Sequence, residues 1–163
     1  MNDSPSPLRL KHLLTAIAIV GLAGAAALAQ SPDPMLGTWE LNVDKSKSPY
    51  KSGTSVIEAA GDGVKVTADM VGADGTAYHW TWTAKYDGKD VPITGTTPFG
   101  AGTVAALTRV DARTAKIIGK RNGEVILTQT IVTSADGKTR TLTTRGKDAQ
   151  GQPVDTVSVY DKQ

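Results

Sequence analysis

Five dipeptides, Asp62-Gly63, Asp74-Gly75, Asp87-Gly88, Asn122-Gly123 and Asp136-Gly137, constrain this chain more than any other feature. Asp-Gly and Asn-Gly supply the positive φ values that a tight reversal requires, so each joins two antiparallel neighbours. Between these turns lie short runs in which apolar and polar residues alternate, and no segment sustains a helical period. The pattern predicts strands near Gly37 to Val43, Thr54 to Ala60, Val64 to Val71, Thr76 to Tyr86, Asp90 to Thr94, Thr103 to Val110, Ala115 to Lys120, Glu124 to Thr133, Thr139 to Arg145 and Val154 to Tyr160. Longer loops are expected at 44–53, 95–102 and 147–153. Strands linked in order by tight turns form a meander whose two edges must be protected, and closure into a ring removes both. The expected fold is therefore all-β, an up-and-down antiparallel β-barrel of about 8 to 10 strands. A two-sheet sandwich or a curled open sheet is the alternative.

The ends of the chain bear on compartment. Arg9, Lys11 and His12 precede an apolar run from Leu13 to Ala29 that closes on Ala27-Leu28-Ala29. That is the form of a secretory signal peptide cut after Ala29. The run is rich in Ala and Gly, and is short of the ~20 apolar residues of a spanning helix. Residues 1–29 thus read as a signal peptide, 30–36 as a short lead-in and 37–163 as one barrel domain, periplasmic or extracellular, with no stable membrane anchor after cleavage. The chain has 18 Lys and Arg against 16 Asp and Glu. So even a balance argues against a nucleic-acid partner, which needs clustered positive charge. With no cysteine, an exported chain has no disulfide framework and must rely on a packed core.

The stretch "TAYHWTWTAKYDGKD", residues 76–90, shows which face is inside. Four of the chain's eight aromatic residues fall in it, and they fall on alternate positions. Strand residues alternate between faces. Tyr78, Trp80, Trp82, Ala84 and Tyr86 therefore share one face, with His79 and Lys85 on the other. Leaving four aromatic side chains in water would forgo roughly 1.5–3 kcal/mol each, so that face is covered, by protein or by a ligand. Trp39, Leu41 and Val43 in the first strand, Val64, Val66, Ala68 and Met70 in the third, and Val125, Leu127 and Ile131 in the eighth supply further apolar lining. Gln129 shares the eighth-strand face and needs a hydrogen-bond partner there. In "TRTLTTR" two registers stay open: one turns Arg140, Leu142 and Thr144 inward, the other Thr141, Thr143 and Arg145. A barrel lined by Val, Ala and Thr is under-filled and has room for a ligand or water.

Gly37-Thr38-Trp39, opening the first strand, resembles the G-x-W motif of lipocalin-like (calycin-type) barrels. In those barrels the Trp plugs the closed end and a basic residue from the last strands packs on it. A likeness over most of residues 34–163, carried by "GTWELNVDKSKS", "YDGKDVPITG", "RVDART" and "SADGKTRTLTTRGKDAQGQPVDTVSVYDKQ", is to a family of small exported bacterial proteins. It implies export and the barrel, and brings no catalytic residues. The "GTTPFGAG" loop departs from that likeness in being longer and richer in glycine.

These readings point to a non-catalytic protein that binds a small, mainly apolar molecule inside the barrel. Trp39, Tyr78, Trp80, Trp82 and Tyr86 are the expected wall, with Gln129 and Arg140 as polar contacts. Arg109 and Arg145 are further inward candidates, because in fatty-acid-binding barrels of this type an arginine near the final strands pairs with a ligand carboxylate. The alternative is an interaction or structural module of the cell envelope that uses a sheet edge or the Lys45, Lys47 and Lys51 loop; no protein partner is indicated. No cofactor is implied. Once the signal peptide is cut His79 is the last histidine, so zinc lacks its usual ligands and a hydrolytic triad would depend on an outward-facing imidazole. No glycine-rich loop opens a helix, which excludes the nucleotide-binding fingerprints.

Overall fold

The computed structural model describes Met1 and residues 33–163. Apart from Met1, the expected signal peptide lies outside the described residues, as do residues 30–32. Eleven strands follow one another: β1 (Gly37–Lys47), β2 (Tyr50–Ala60), β3 (Gly63–Gly72), β4 (Ala77–Lys85), β5 (Asp87–Pro92), β6 (Thr94–Thr96), β7 (Thr103–Arg109), β8 (Thr114–Arg121), β9 (Glu124–Thr133), β10 (Thr139–Lys147) and β11 (Pro153–Lys162). All belong to one antiparallel sheet in the order β5-β7-β8-β9-β10-β11-β1-β2-β3-β4-β6. The protein is an all-β, up-and-down barrel. The count exceeds the expected one because the run around Asp90 to Thr94 forms two strands.

That split closes the ring. β5 and β6 are the two edges of the sheet, yet only Ile93 separates them in the chain. β5 pairs with β7 through Asp90↔Ala106, Val91↔Ala105 and Pro92↔Val104, and the Ile93 N–H continues that ladder to the Thr103 carbonyl at 3.2 Å. Beyond Ile93 the chain changes partner and pairs with β4 through Thr81↔Thr94, Trp80↔Gly95 and His79↔Thr96. One stretch thus serves both edges. Gly95 makes the crossing feasible: its φ is +106°, and a Cβ there would lie 2.2 Å from the His79 carbonyl oxygen.

Inward positions carry the core. Trp39, Leu41, Ile57, Val64, Val66, Ala68, Met70, Trp82, Ala84, Leu107, Ile117 and Ile131 are all buried. Two expected core residues are not: Val125 is 60% exposed and Val43 44% exposed. Each lies at an irregularity in pairing, between Gly119 and Lys120 opposite Val125 and between Asn42 and Lys47 for Val43. An inserted residue turns the following side chain to the other face. The loop expected at 44–53 is mostly strand, since β1 runs to Lys47 and β2 begins at Tyr50.

The N-terminal lead-in seals one end. Met35 is buried, its carbonyl accepts from Trp39 Nε1 at 3.0 Å, and Asp33 forms an ion pair with Arg109 at the end of β7. Tyr86 donates to the same carboxylate at 3.2 Å, and the Arg109 guanidinium lies 3.8 Å from the Tyr86 ring centroid. Burial pushes the Asp33 pKa up, but hydrogen bonds from Arg109 and the Met35 N–H, with the Arg109 charge, outweigh it and hold the carboxyl below its usual range. The same burial, with Asp33 nearby, pushes Tyr86 up to about 12.

Two outcomes follow. Gly95→Ala should destabilise the barrel by about 2 kcal/mol, from backbone strain at positive φ together with the clash, read as a lower urea midpoint at unchanged m-value. A carboxyl whose pKa is depressed on folding contributes stability above its unfolded pKa and loses it as pH falls through the folded value. Asp33→Asn should therefore be less stable than wild type at pH 7, and the gap should close as pH drops below about 4, as followed by thermal melts across the acid range.

Candidate functional site

At the sealed end, Trp39 is fully buried, and two basic side chains cover it. The Arg140 guanidinium from β10 lies 4.9 Å from the Trp39 ring centroid, and Lys162 Nζ from β11 lies 5.2 Å away. Arg140 also stacks on Tyr160 at 4.6 Å. Gly37 leaves room for the Lys162 stem, since a Cβ there would sit 2.6 Å from Lys162 Cε. Trp39 lines none of the interior chambers described below; it acts as a plug beneath Arg140.

The register of β10 settles the choice left open by its sequence. Arg140 pairs with Thr133 and Tyr160, Leu142 with Ile131 and Ser158, and Thr144 with Gln129 and Thr156. These residues face inward. Arg145 faces out toward Asp155, 3.5 Å away, and Arg109 is committed to Asp33. Arg140 is thus the inward arginine, 4% exposed. Among the described residues it forms no ion pair, and its Nε, fully buried, has no hydrogen-bond partner. Burial pulls its pKa down to about 10 while Tyr160 pulls it up, so it stays protonated at neutral pH.

Above Arg140 the interior is hollow. A deep chamber of about 80 Å³ is bounded by Arg140, Trp82, Trp80, Tyr86, Ile117 and Gln129. Toward the opposite end lies a chamber of about 360 Å³, with Tyr78, Trp80, Met70 and Tyr50 on one side and Gln129, Thr144, Thr156 and Ser158 on the other. The two chambers share Met70, Trp80, Gln129, Leu142 and Tyr160. A third space of about 40 Å³ opens beside Trp80, Trp82 and Gln129. Gln129 therefore borders all three, and its Nε2 donates to Thr144 Oγ1 at 3.0 Å. Tyr50 and Tyr78 meet edge to face at 6.2 Å. Burial, reinforced by Tyr160 and Tyr78, raises the Tyr50 pKa well above the phenol range, leaving its hydroxyl a neutral donor or acceptor.

Residues from stretches read as loops complete the mouth. Phe99 and Pro98 line the large chamber; the Ala149 N–H donates to the Pro98 carbonyl at 3.2 Å and Arg121 Nη1 to the Phe99 carbonyl at 2.8 Å. Tyr50 and Phe99 escaped the sequence analysis because neither stands in an alternating run. His79 is exposed and outward-facing, paired with Asp69 at 2.6 Å. Among the described residues, no three His, Cys, Asp or Glu side chains group to hold a metal.

No protein-family model matches this chain, and comparison with curated proteins yields no match.

The two tryptophan classes separate by stability. Trp39→Ala should cost about 3–5 kcal/mol, the range for a fully buried aromatic. Trp80→Ala, which only enlarges an existing cavity, should cost about 1–2 kcal/mol. Urea unfolding followed by circular dichroism makes the comparison.

Proposed function

We propose that this chain is an exported, lipocalin-like, non-catalytic carrier that holds a small amphipathic molecule in its barrel. The apolar part lies against Trp80, Trp82, Tyr78 and Met70, and an acidic head group reaches Arg140. One observation carries the reading: a buried guanidinium borders the deep chamber without an anionic partner among the described residues. A buried charge is costly unless paired, and a guanidinium fork in a low-dielectric cavity suits a carboxylate. The combined chambers fall within the size range of small-molecule sites. The Gly37-Thr38-Trp39 opening with basic side chains over the Trp supports the lipocalin-like assignment, and the Leu13 to Ala29 run supports export to the periplasm or beyond.

The test is tryptophan fluorescence titration of the mature chain with medium-chain carboxylic acids and their methyl esters. Saturable binding of the acids is expected, with esters weaker by about 30-fold, corresponding to roughly 2 kcal/mol for loss of one partner in a buried charged pair. Arg140→Met should abolish the preference. The same substitution should leave the empty protein as stable as wild type or more so, because it removes an unpaired buried charge. A protein that responds to no acid, and that carries no small molecule when extracted from its native envelope, would overturn the proposal.

A further inference from the structure

The interior is two-sided, and the sides differ in chemistry. Tyr78 and Trp80 stand on β4, whereas Gln129, Thr144 and Thr156 form one register row on β9, β10 and β11. A plain alkyl chain would satisfy the aromatic side and leave the polar row facing hydrocarbon. Gln129 is the sharpest element of that row. Its amide nitrogen is committed to Thr144 Oγ1, and none of the described side chains donates to its Oε1. That oxygen is an acceptor at the junction of all three chambers. The contact with Thr144 Oγ1 holds the Gln129 amide in place beside β10. Gln129 and Thr144 lie four residues from Thr133 and Arg140 along β9 and β10, roughly 13 Å of strand, and both Gln129 and Arg140 line the deep chamber.

Resting on the carrier reading above, we infer that the ligand is a flat ring acid bearing a hydroxyl group, and that Gln129, positioned by Thr144, selects it. The ring lies against Trp80 and Tyr78, where a flat face gains the most contact. The acid points to Arg140, and the hydroxyl donates to Gln129 Oε1. A site with a fixed hydrogen-bonding group discriminates strongly against an analogue that lacks the matching group, because its own polar atom is then left unpaired.

Four probes separate the outcomes: 6-hydroxy-2-naphthoate, 6-methoxy-2-naphthoate, 2-naphthoate and decanoate, each titrated by calorimetry. The hydroxy acid should bind at least about 10-fold tighter than the unsubstituted and methoxy acids, the methoxy group accepting but not donating. Gln129→Met, close in size and apolar, should erase that preference and leave 2-naphthoate within about 3-fold of wild type. Thr144→Val should reduce the preference by freeing the amide to turn. Circular dichroism confirms that both variants are folded, and either one suffices to test the assignment. Equal binding of the three naphthoates, a preference for the methoxy acid, or a hydroxyl preference that survives Gln129→Met would overturn the inference. Binding of decanoate but of no naphthoate would overturn it while leaving the carrier reading standing. Failure of all four acids would overturn both.

Discussion

A meander of antiparallel strands gains little if its two ends stay open, because each end exposes a row of unpaired backbone groups. Here both ends are segments of one stretch, β5 and β6, which gives its first half to β7 and its second to β4. The change of partner at Ile93 holds the ring shut, and a ring encloses space that a flat sheet cannot. Every other feature of the interior, from the plug at Trp39 to the chambers above Arg140, depends on that shared stretch. Gly95 matters for the same reason: the crossing brings backbone against backbone where a Cβ has no room.

The two ends of the barrel then specialise. One is sealed by side chains that satisfy one another: Met35 and Trp39 by a hydrogen bond, Asp33 with Arg109 and Tyr86 by charge and hydrogen bonds. The other is bordered by loops, with Phe99 and Pro98 held to Arg121 and Ala149 through backbone carbonyls. Open space grows from the first end to the second, from a chamber of about 80 Å³ to one of about 360 Å³. Aromatic residues serve both purposes, and their depth in the barrel decides which.

Much of this is legible in the sequence, for identifiable reasons. The period-2 pattern of β3 and β4 places Val64, Val66, Met70, Trp80 and Trp82 on one face, and the structure keeps them there. Asp-Gly and Asn-Gly mark reversals because the φ requirement is local. Failures occur where the deciding fact is non-local. Val43 and Val125 follow the alternation in sequence yet face solvent, since a bulge depends on the partner strand. The run around Asp90 to Thr94 looks like one strand because nothing in five residues announces a change of partner. The β10 sequence has threonine on both faces, so alternation alone could not orient Arg140; its pairing with Tyr160 and Thr133 does.

That last orientation has an energetic meaning. A charged side chain enters a core when something offsets its desolvation, and the rings of Trp39 and Tyr160 offset part of it by cation–π attraction, which is worth about 2 kcal/mol when desolvated. Effective desolvation of an ion costs several kcal/mol. The remaining deficit is carried by the closed barrel as a whole. On the carrier reading proposed above, an acidic head group entering the chamber would offset that deficit. The other register of β10 would turn Thr141, Thr143 and Arg145 inward and leave Arg140 in water. The chain instead buries Arg140 beneath an apolar chamber, where an anion entering from the mouth would meet its charge at low dielectric.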